Sequence, residues 1–400
     1  MDILKKADIQ TPAYVFSENE LVENLDRAGS IAKENNCHLL YSMKSLEYTT
    51  VLKKMLNHIE GFAASSLFEV KLARELLGSS GSVHYTTPGI RYHEVGELAE
   101  LCDYVTLNSA THWKKLSPYL AGRAEMGIRI NPGVSVVKDE RYDPCASSSR
   151  LGMHIPEFRH HLRQNAHLMR NVSGIHIHTN CEGTDFGDLS MTIHKVSEEI
   201  GDVLNDLEWF NIGGGYFFDE CENYEEFKSA VEMLQNKHGL KVFMEPGGTI
   251  VRSAGYIVST IIDIVGPSDE KIALLDTTVN HVPEVYEYEY KPNVIGSYNE
   301  NDNEDDEEEE EGHRYILAGS SCLAGDKFGN YGFDEPLKIG QKLIFKNMGC
   351  YALVKAHMFN GINLPSIYYL EQDGTLKLER RFTYDDFLAR CTPNKPSNME

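Results

Sequence analysis

Short apolar runs alternate with amphipathic stretches through the first part of the chain. The runs cover residues 12–16, 39–45, 61–65, 82–86, 104–107, 125–130, 173–178, 208–212 and 241–244. Most are followed by a segment whose apolar residues recur at helical spacing. Strand-then-helix order at intervals of about 25 to 35 residues predicts a parallel sheet, and about eight such units favour a closed (β/α)8 barrel. An open doubly wound sheet is the alternative.

The rhythm changes after about Gly255. Apolar runs at 256–265, 271–275, 315–317 and 342–345 are joined by turns, with no long helices between them. We therefore predict an α/β chain of two domains, a barrel at 17–262 and a mainly β domain formed by 1–16 with 263–400. An acidic run, Asn299–Glu311, interrupts the second domain. Adjacent carboxylates repel and bury no apolar area, so we predict a disordered surface insertion near 299–312.

Charge and cysteine content exclude several classes of protein. The formal net charge is −23, and ten of the carboxylates lie between Glu300 and Glu311. An acidic chain argues against nucleic acid or a membrane surface as partner. We see no secretory signal and no apolar run long enough for a membrane helix. The eight cysteines form no CxxC pair, which favours reduced thiols in a cytoplasmic protein without a structural metal.

The run at 39–45 ends in Lys44, the first residue with candidate chemistry. We expect a lysine at the end of an otherwise buried strand to hold its ammonium against apolar walls. Such walls lower the pKa of the amine and prepare it to form a Schiff base with an aldehyde. The alternative is that Lys44 only marks where the strand reaches water.

Other strand ends add groups that suit a phosphorylated ring. Asn211-Ile-Gly-Gly-Gly215 leaves backbone amides open to a phosphate, and Glu245-Pro-Gly-Gly248 offers further amides with a carboxylate. We expect His176 and His178 to point to opposite faces, one of them towards the barrel mouth; a structural histidine is the alternative. Barrels place their sites at the carboxyl ends of strands. Together with Lys44, these groups predict a site for pyridoxal 5′-phosphate.

Longer motifs carry a family resemblance. The chain resembles the fold-type III (alanine racemase-like) pyridoxal phosphate decarboxylases, and within them the carboxynorspermidine/carboxyspermidine decarboxylase family. The resemblance rests on Thr11-Pro-Ala-Tyr-Val15, the Lys44 strand, Ala64-Ser-Ser-Leu-Phe-Glu69, Arg129-Ile-Asn-Pro132, Tyr142-Asp-Pro-Cys-Ala146 with Ser149-Arg-Leu-Gly152, Gly174-Ile-His-Ile-His-Thr179 with Cys181-Glu182, the two glycine turns, Ser321-Cys-Leu-Ala-Gly-Asp326, Phe333-Asp-Glu-Pro336 and Phe359-Asn-Gly-Ile-Asn-Leu-Pro-Ser366. The Cys-Leu-Ala-Gly-Asp and Phe-Asn-Gly segments are the most specific of these.

The resemblance implies a decarboxylase of polyamine biosynthesis that acts as a homodimer with shared active sites. Lys44 would bind the cofactor covalently, His178 would stack on its ring, and Glu245 would bond the ring nitrogen. The remaining cofactor contacts implied by the resemblance are Ser66, Arg150, Gly214, Gly215, Gly247 and Tyr351. Cys322 from the second subunit would protonate the product carbon. The substrate would meet Cys322, Asp326, Glu284 and His281.

Departures from the family pattern bear on the substrate. By the resemblance, the family has Pro-Gly-Glu where this chain has Pro-Gly-Gly248. One expected anionic contact to a polyamine is therefore missing. By the resemblance, the family has Met-Pro-Asp where this chain has Val-Pro-Glu284. The second anionic contact is therefore kept, with a glutamate side chain that is longer than the aspartate. Decarboxylation of a different amino acid, such as diaminopimelate, ornithine or lysine, is therefore an alternative. A non-catalytic cofactor-binding regulator is another, although such relatives lose the lysine or the cysteine.

Overall fold

The computed structural model describes residue 4 and residues 8–137, 139–221, 223–267, 271–298 and 312–393. These residues divide into two compact units. One comprises the described residues from Val22 to Ile250, and the other comprises those up to Leu21 with those from Val251 onwards. The predicted acidic insertion lies outside the described residues, apart from Gly312. No helix of the described ranges is both long and apolar enough to cross a bilayer.

The first unit is a closed barrel of eight parallel strands, which confirms the barrel prediction and excludes the open sheet. Its strands are β2 (His38–Ser42), β3 (Gly61–Ala64), β4 (Ser82–Thr86), β5 (Tyr104–Leu107), β6 (Glu125–Asn131), β8 (Val172–His176), β9 (Trp209–Asn211) and β10 (Lys241–Met244). Each strand pairs with the next in this order, and β10 closes the ring by pairing with β2. A short strand, β7 (Met153–His154), pairs with the end of β6.

Helices follow most of the barrel strands. They are α1 (Glu18–Glu34), α2 (Thr49–Met55), α3 (Leu67–Leu77), α4 (Val95–Leu101), α5 (Ala110–Leu120), α6 (Ile155–Gln164), α7 (Gly187–Leu204), α8 (Glu225–Glu232) and α9 (Gly248–Val251). In α7 the side chains of Leu189, Ile193, Val196 and Ile200 are fully buried. Their spacing of three or four residues places them on one face of the helix, as the amphipathic pattern predicted.

Aromatic side chains fill the barrel at the level where its strands begin. Trp209 lies edge-on to Tyr104 and Phe243, with ring centroids 5.5 and 6.2 Å away. Gly127 and Gly174 make room for the indole, since a Cβ atom on either glycine would clash with it. The amino-terminal half of the barrel is therefore a packed floor, and polar groups remain for the carboxyl ends of the strands.

The second unit is mainly β structure, as predicted. Its strands are β1 (Ala13–Ser17), β11 (Gly255–Val265), β12 (Lys271–Leu275), β13 (His313–Ala318), β14 (Lys327–Phe333), β15 (Lys342–Phe345), β16 (Ser366–Leu370) and β17 (Leu376–Arg380). They pair in the order β14, β13, β12, β11, β1, β16, β17, and β15 pairs with β11. Short helices α10 (Glu284–Tyr288), α11 (Ala352–Lys355) and α12 (Tyr384–Cys391) connect or follow them. Its core includes Ala13, Val15, Val258 and Ile344.

Candidate active site

The carboxyl ends of β2 and β10 meet through backbone contacts. The Ser42 N–H donates to the Pro246 carbonyl at 3.0 Å. Gly247 lies against Ser45, and a Cβ atom on this glycine would clash with the Ser45 hydroxyl. Only glycine therefore lets the turn after β10 pack on the segment that carries Lys44. The predicted lysine and the Glu-Pro-Gly turn lie at the same mouth of the barrel.

Lys44 lies in a single 3-10 turn just beyond the end of β2. Its side chain is exposed, so the expectation of apolar walls around its ammonium is wrong. The strand ends at Ser42, and the turn carries the lysine away from the packed interior. Burial raises the pKa of the nearby Glu69 to about 7, while the Ser65 N–H and the Lys44 ammonium act in the opposite direction. Ser66 caps α3, because its hydroxyl accepts the Glu69 N–H at 3.2 Å.

Glu245 is a buried carboxylate at the end of β10, 8% exposed. Its Oε1 accepts a hydrogen bond from Asn211 Nδ2 at 2.6 Å, and its Oε2 lies 3.5 Å from His176 Nε2. Burial raises the pKa of Glu245, but the neighbouring histidines, His176 first among them, outweigh burial and hold the pKa of the carboxyl below its ordinary value. Burial lowers the pKa of His176 and of His84. We therefore take Glu245 as the ionised member of this cluster.

His178 follows β8 and is fixed by the glycine turn. Its Nδ1 accepts the Gly214 N–H at 3.2 Å, which assigns the ring proton to Nε2. Burial, with the Lys44 and Arg129 cations, lowers the pKa of His178 well below its ordinary value, so the ring is neutral. The expectation that His176 and His178 point to opposite faces is wrong, because both histidines lie close enough to Glu245 to lower the pKa of its carboxyl. A fixed neutral imidazole can lie flat on a planar ring.

The glycine turn after β9 packs on the Glu245 turn. Gly213 and Gly215 have φ angles of 74° and 94°, in the left-handed region that favours glycine. The Glu245 N–H donates to the Gly213 carbonyl at 2.8 Å. A Cβ atom on Gly214 would clash with the Glu245 carbonyl. With Gly247, these residues form a glycine-lined cradle where backbone can approach a phosphate closely.

Two arginines lie at the same end of the barrel. Arg129 is on β6 and is 8% exposed; burial lowers its pKa to about 10, so it stays protonated at neutral pH. The exposed Arg150 lies close enough to lower the pKa of Arg129 further. Asn108 anchors the Arg150 segment, because its Nδ2 donates to the Arg150 carbonyl at 2.9 Å and its Oδ1 accepts the Gly152 N–H at 2.8 Å.

In the second unit, Cys322 is exposed on the loop between β13 and β14. Its N–H donates to Asn360 Oδ1 at 2.9 Å. Asp326 ends the same loop and is 3% exposed. The Asp326 carboxylate accepts the N–H groups of Val279 and Ser321 at 2.8 and 2.9 Å. These bonds favour a structural role for Asp326, and its contact with substrate stays a prediction.

The other candidate residues of the second unit differ in their surroundings. His281 is fully buried, and burial lowers its pKa to about 4. Glu284 lies 3.3 Å from the Lys355 ammonium, which also lies 2.8 Å from Glu287. Tyr351 precedes α11 with a φ angle of 59°, and the Lys355 ammonium lies 5.3 Å from its ring centroid. The burial of His281 favours a structural role, and the substrate contacts of both His281 and Glu284 stay predictions.

Sequence reasoning did not single out four residues that shape these surroundings. They are Arg129, Asn211, Lys355 and Asn360. Arg129 could have been noticed as a charged residue inside the apolar run 125–130. Asn211 could have been noticed as a polar residue just before the glycine turn. Lys355 carries no local signal. Asn360 lies in the Phe-Asn-Gly motif, but its bond to Cys322 joins residues 38 positions apart and is not visible in the motif.

The residues at the barrel mouth fit pyridoxal 5′-phosphate. They offer a lysine amine for its aldehyde, a neutral imidazole for its ring face, an ionised carboxylate for its ring nitrogen and glycine turns for its phosphate. The buried polar atoms without a hydrogen-bond partner among the described residues include Ser45 Oγ, Asn131 Nδ2 and both ring nitrogens of His176, and a polar ligand at this mouth would offer partners to such groups. In the described ranges, no group of three or more His, Cys, Asp or Glu side chains is arranged to hold a metal ion.

Comparisons with known proteins show the family of the chain. The family model for the pyridoxal binding domain of pyridoxal-dependent decarboxylases matches residues 19–252. A carboxynorspermidine/carboxyspermidine decarboxylase from Campylobacter jejuni is 31% identical over 389 residues, 96% of this chain and 98% of that protein. A carboxyaminopropylagmatine decarboxylase from Synechocystis sp. is also 31% identical, over 96% of each chain.

Solved structures show the same likeness. The crystal structure of carboxynorspermidine decarboxylase from Campylobacter jejuni, complexed with norspermidine, has a TM-score of 0.84 and 28% identity. The matched region covers 96% of this chain and 100% of the Campylobacter chain. A diaminopimelate decarboxylase from Helicobacter pylori complexed with L-lysine has a TM-score of 0.81 at 17% identity, over 96% of this chain and 97% of that chain, and shares the fold.

Proposed function

The chain belongs to the pyridoxal-dependent decarboxylases, and from this premise we propose that it removes the α-carboxylate of an amino acid with an extended, amine-bearing tail. Its cofactor is pyridoxal 5′-phosphate. Carboxynorspermidine and carboxyspermidine are the first substrates we propose, because they are the substrates in the name of the Campylobacter relative. The observation that carries the proposal is the buried, ionised Glu245 carboxylate, bonded to Asn211 at the mouth where Gly247 packs beside Lys44.

Pyridoxal phosphate, when bound, supplies a ring that accepts the electron pair left by departing carbon dioxide. Glu245 favours this chemistry, because an anion at the ring nitrogen holds a proton there and makes the ring a stronger electron acceptor. The neutral imidazole of His178 covers a ring face without adding a competing charge. Lys44 would hold the cofactor through its aldehyde, and its amine would take the place of the product amine when the product leaves.

The remaining cofactor contacts are proposed for the phosphate and for the rim. Backbone groups of the glycine cradle suit the phosphate, because no side chain obstructs their approach. Tyr351 is proposed as a further phosphate contact, and Ser66 and Arg150 as neighbours of the cofactor. The Asn108 anchor supports the last assignment, because it holds the Arg150 backbone in one place.

Cys322 is proposed as the acid that protonates the product carbon, working from the second subunit of a homodimer. Its exposure leaves the thiol available to such a partner. Tyr286 and Phe359 are exposed large apolar side chains of the same unit, 66% and 38% exposed. Tyr286 lies beside the Cys322 loop, 3.5 Å from the position that a Cβ atom on Gly325 would take, and Phe359 adjoins the residue that bonds Cys322. Both are suited to an interface between copies of the chain.

A different tail is the second candidate for the substrate, and the charges around Glu284 favour it. Lys355 compensates this carboxylate at 3.3 Å, and Gly248 has no carboxylate to offer. Loss of a charged contact to an ammonium costs about 2 to 4 kcal/mol, or roughly 30- to 1000-fold in affinity. A shorter or less charged tail would lose less. Diaminopimelate, ornithine and lysine are therefore alternatives to test. Carboxyaminopropylagmatine joins them because it is named for the Synechocystis relative.

The test is carbon dioxide release by the purified holoenzyme from each of these amino acids. We expect release from at least one carboxylated polyamine or from carboxyaminopropylagmatine, and none in Lys44→Ala. Cys322→Ala should still release carbon dioxide but should form less amine product. A protein that binds the cofactor and decarboxylates nothing in the panel would instead favour the non-catalytic regulator.

A further inference from the structure

Asn360 makes a contact to which the chemistry above assigns no role. Its side-chain Oδ1 accepts the N–H of Cys322 at 2.9 Å, between residues 38 positions apart in the sequence. Asn360 belongs to the Phe-Asn-Gly segment, and Cys322 belongs to the Cys-Leu-Ala-Gly-Asp segment. One hydrogen bond therefore joins the two most specific motifs of the chain.

The backbone of Asn360 is held in a conformation that few side chains adopt. Its φ and ψ angles are 56° and 12°, in the left-handed region where asparagine is enriched several-fold over most residues. The N–H groups of Gly361 and Ile362 bond to the carbonyls of Met358 and Phe359 at 3.2 and 3.1 Å. These bonds fix the turn on both sides of Asn360. The side-chain amide is thus presented to the neighbouring loop from a defined position.

Hydrogen bonds hold the Cys322 loop both at its base and at its exposed tip. At one end, the buried Asp326 carboxylate accepts backbone N–H groups of Val279 and Ser321. At the exposed tip, the Cys322 N–H is held by Asn360. Removal of the Asn360 amide would free the peptide that carries the thiol, while Asp326 would still hold the rest of the loop. Loss of the Asn360 amide should therefore change the position of the Cys322 sulfur but have little effect on the stability of the loop.

We propose that Asn360 is a positioning residue that aims the Cys322 thiol and thereby selects the carbon that receives the proton. The inference rests on the proposed function. After carbon dioxide has left, the thiol proton goes to the α carbon, the product leaves as an amine, and the thiolate regains a proton from water. A proton delivered instead to the aldehyde carbon of the cofactor leads to a different outcome. Water then releases the substrate skeleton as a carbonyl compound, and the amine nitrogen stays behind in pyridoxamine 5′-phosphate.

The first test compares amine and carbonyl products of the full-chain holoenzyme, with the substrate on which the wild type is most active. Asn360→Ala and Asn360→Gly both remove the acceptor, and the glycine variant also removes any backbone strain. We expect each to raise the ratio of carbonyl to amine product about fivefold, the effect of one lost hydrogen bond. Asn360→Asp keeps an oxygen acceptor and should keep the wild-type ratio. In a Cys322→Ala background, Asn360→Ala should add nothing, because it acts through the cysteine.

A matched control lies three residues away. Asn363 donates its Nδ2 to the Phe382 carbonyl at 2.6 Å, so Asn363→Ala removes a comparable hydrogen bond that does not involve Cys322. We expect this variant to keep the wild-type product ratio. A raised ratio in Asn363→Ala equal to that in Asn360→Ala would mean that loosening the segment is enough, and would overturn the proposal.

The second test needs no turnover. Alkylation of the Cys322 thiol is followed by peptide mass spectrometry, with Cys391, the other exposed cysteine of the described ranges, as internal reference. We expect Asn360→Ala to change the rate at Cys322 about fivefold relative to Cys391. An unchanged rate, or a changed rate with an unchanged product ratio in an active enzyme, overturns the inference. If the wild type releases no carbon dioxide, the proposed function fails, and alkylation alone still decides whether Asn360 holds Cys322.

Discussion

Replacing Gly247 by alanine tests whether the turn after β10 must pack on the segment that carries Lys44. The added Cβ would clash with the Ser45 hydroxyl and would lie 3.2 Å from the Cβ atoms of Ser42 and Ser45. Overpacking a buried site of this kind costs about 1 to 3 kcal/mol. A unit of this size loses about 2 to 4 °C in Tm per kcal/mol, so Tm should fall by roughly 2 to 12 °C. Cofactor binding should weaken as well, because the turn is pushed away from Lys44.

A second substitution separates the clash from other effects of the alanine. Ser45→Ala removes the hydroxyl that clashes most and leaves the 3.2 Å contacts, which a small shift relieves. We expect Gly247→Ala/Ser45→Ala to recover most of the lost Tm and of the visible absorbance of the lysine-bound cofactor. Calorimetry and titration with pyridoxal phosphate measure both. A wild-type Tm in Gly247→Ala, or no recovery in the double variant, would refute the packing argument.

Three further changes have expected outcomes. Burial lowers the pKa of His84 to about 3. Below about pH 6.5 this imidazole is protonated in the unfolded state, whereas in the folded state it stays neutral down to about pH 3. His84 should therefore contribute about 2 kcal/mol to the fall in stability from pH 7 to pH 5, and urea titrations of His84→Phe should show a fall smaller by that amount. Glu245→Gln should retain the cofactor but release carbon dioxide about 100-fold more slowly, as steady-state rates would record. Asn108→Ala should weaken cofactor binding about fivefold by freeing Arg150; an unchanged affinity in a fluorescence titration would argue against that contact.

The sequence was enough to predict the barrel because its strands are buried on both faces. Such strands appear as continuous apolar runs, and the run at 241–244 has the bounds of β10. Strands β14, β16 and β17 were not among the predicted runs, and for β17 the burial pattern shows why. Four of its five residues are exposed, so it forms without an apolar run and is held by pairing with β16.

The grouping of the candidate residues at one mouth of the barrel was predictable, but most of the contacts among them were not. Parallel strands in a barrel end at one mouth, so strand-end residues such as Lys44 and Glu245 could be grouped without coordinates. The contacts that set their behaviour join distant residues. Asn211 bonds Glu245 across 34 positions, and Asn360 bonds Cys322 across 38. Hydrophobic periodicity reports which face of an element is buried, and it carries no information on such pairs.

Lys44 is the residue on which the proposed chemistry depends most. Borohydride reduction of the holoenzyme, followed by peptide mass spectrometry, identifies the lysine that binds pyridoxal phosphate. We expect the reduced cofactor on the peptide that contains Lys44, and no labelled peptide from Lys44→Ala. Labelling of a different lysine, or of none after incubation with excess pyridoxal phosphate, would contradict the proposed site.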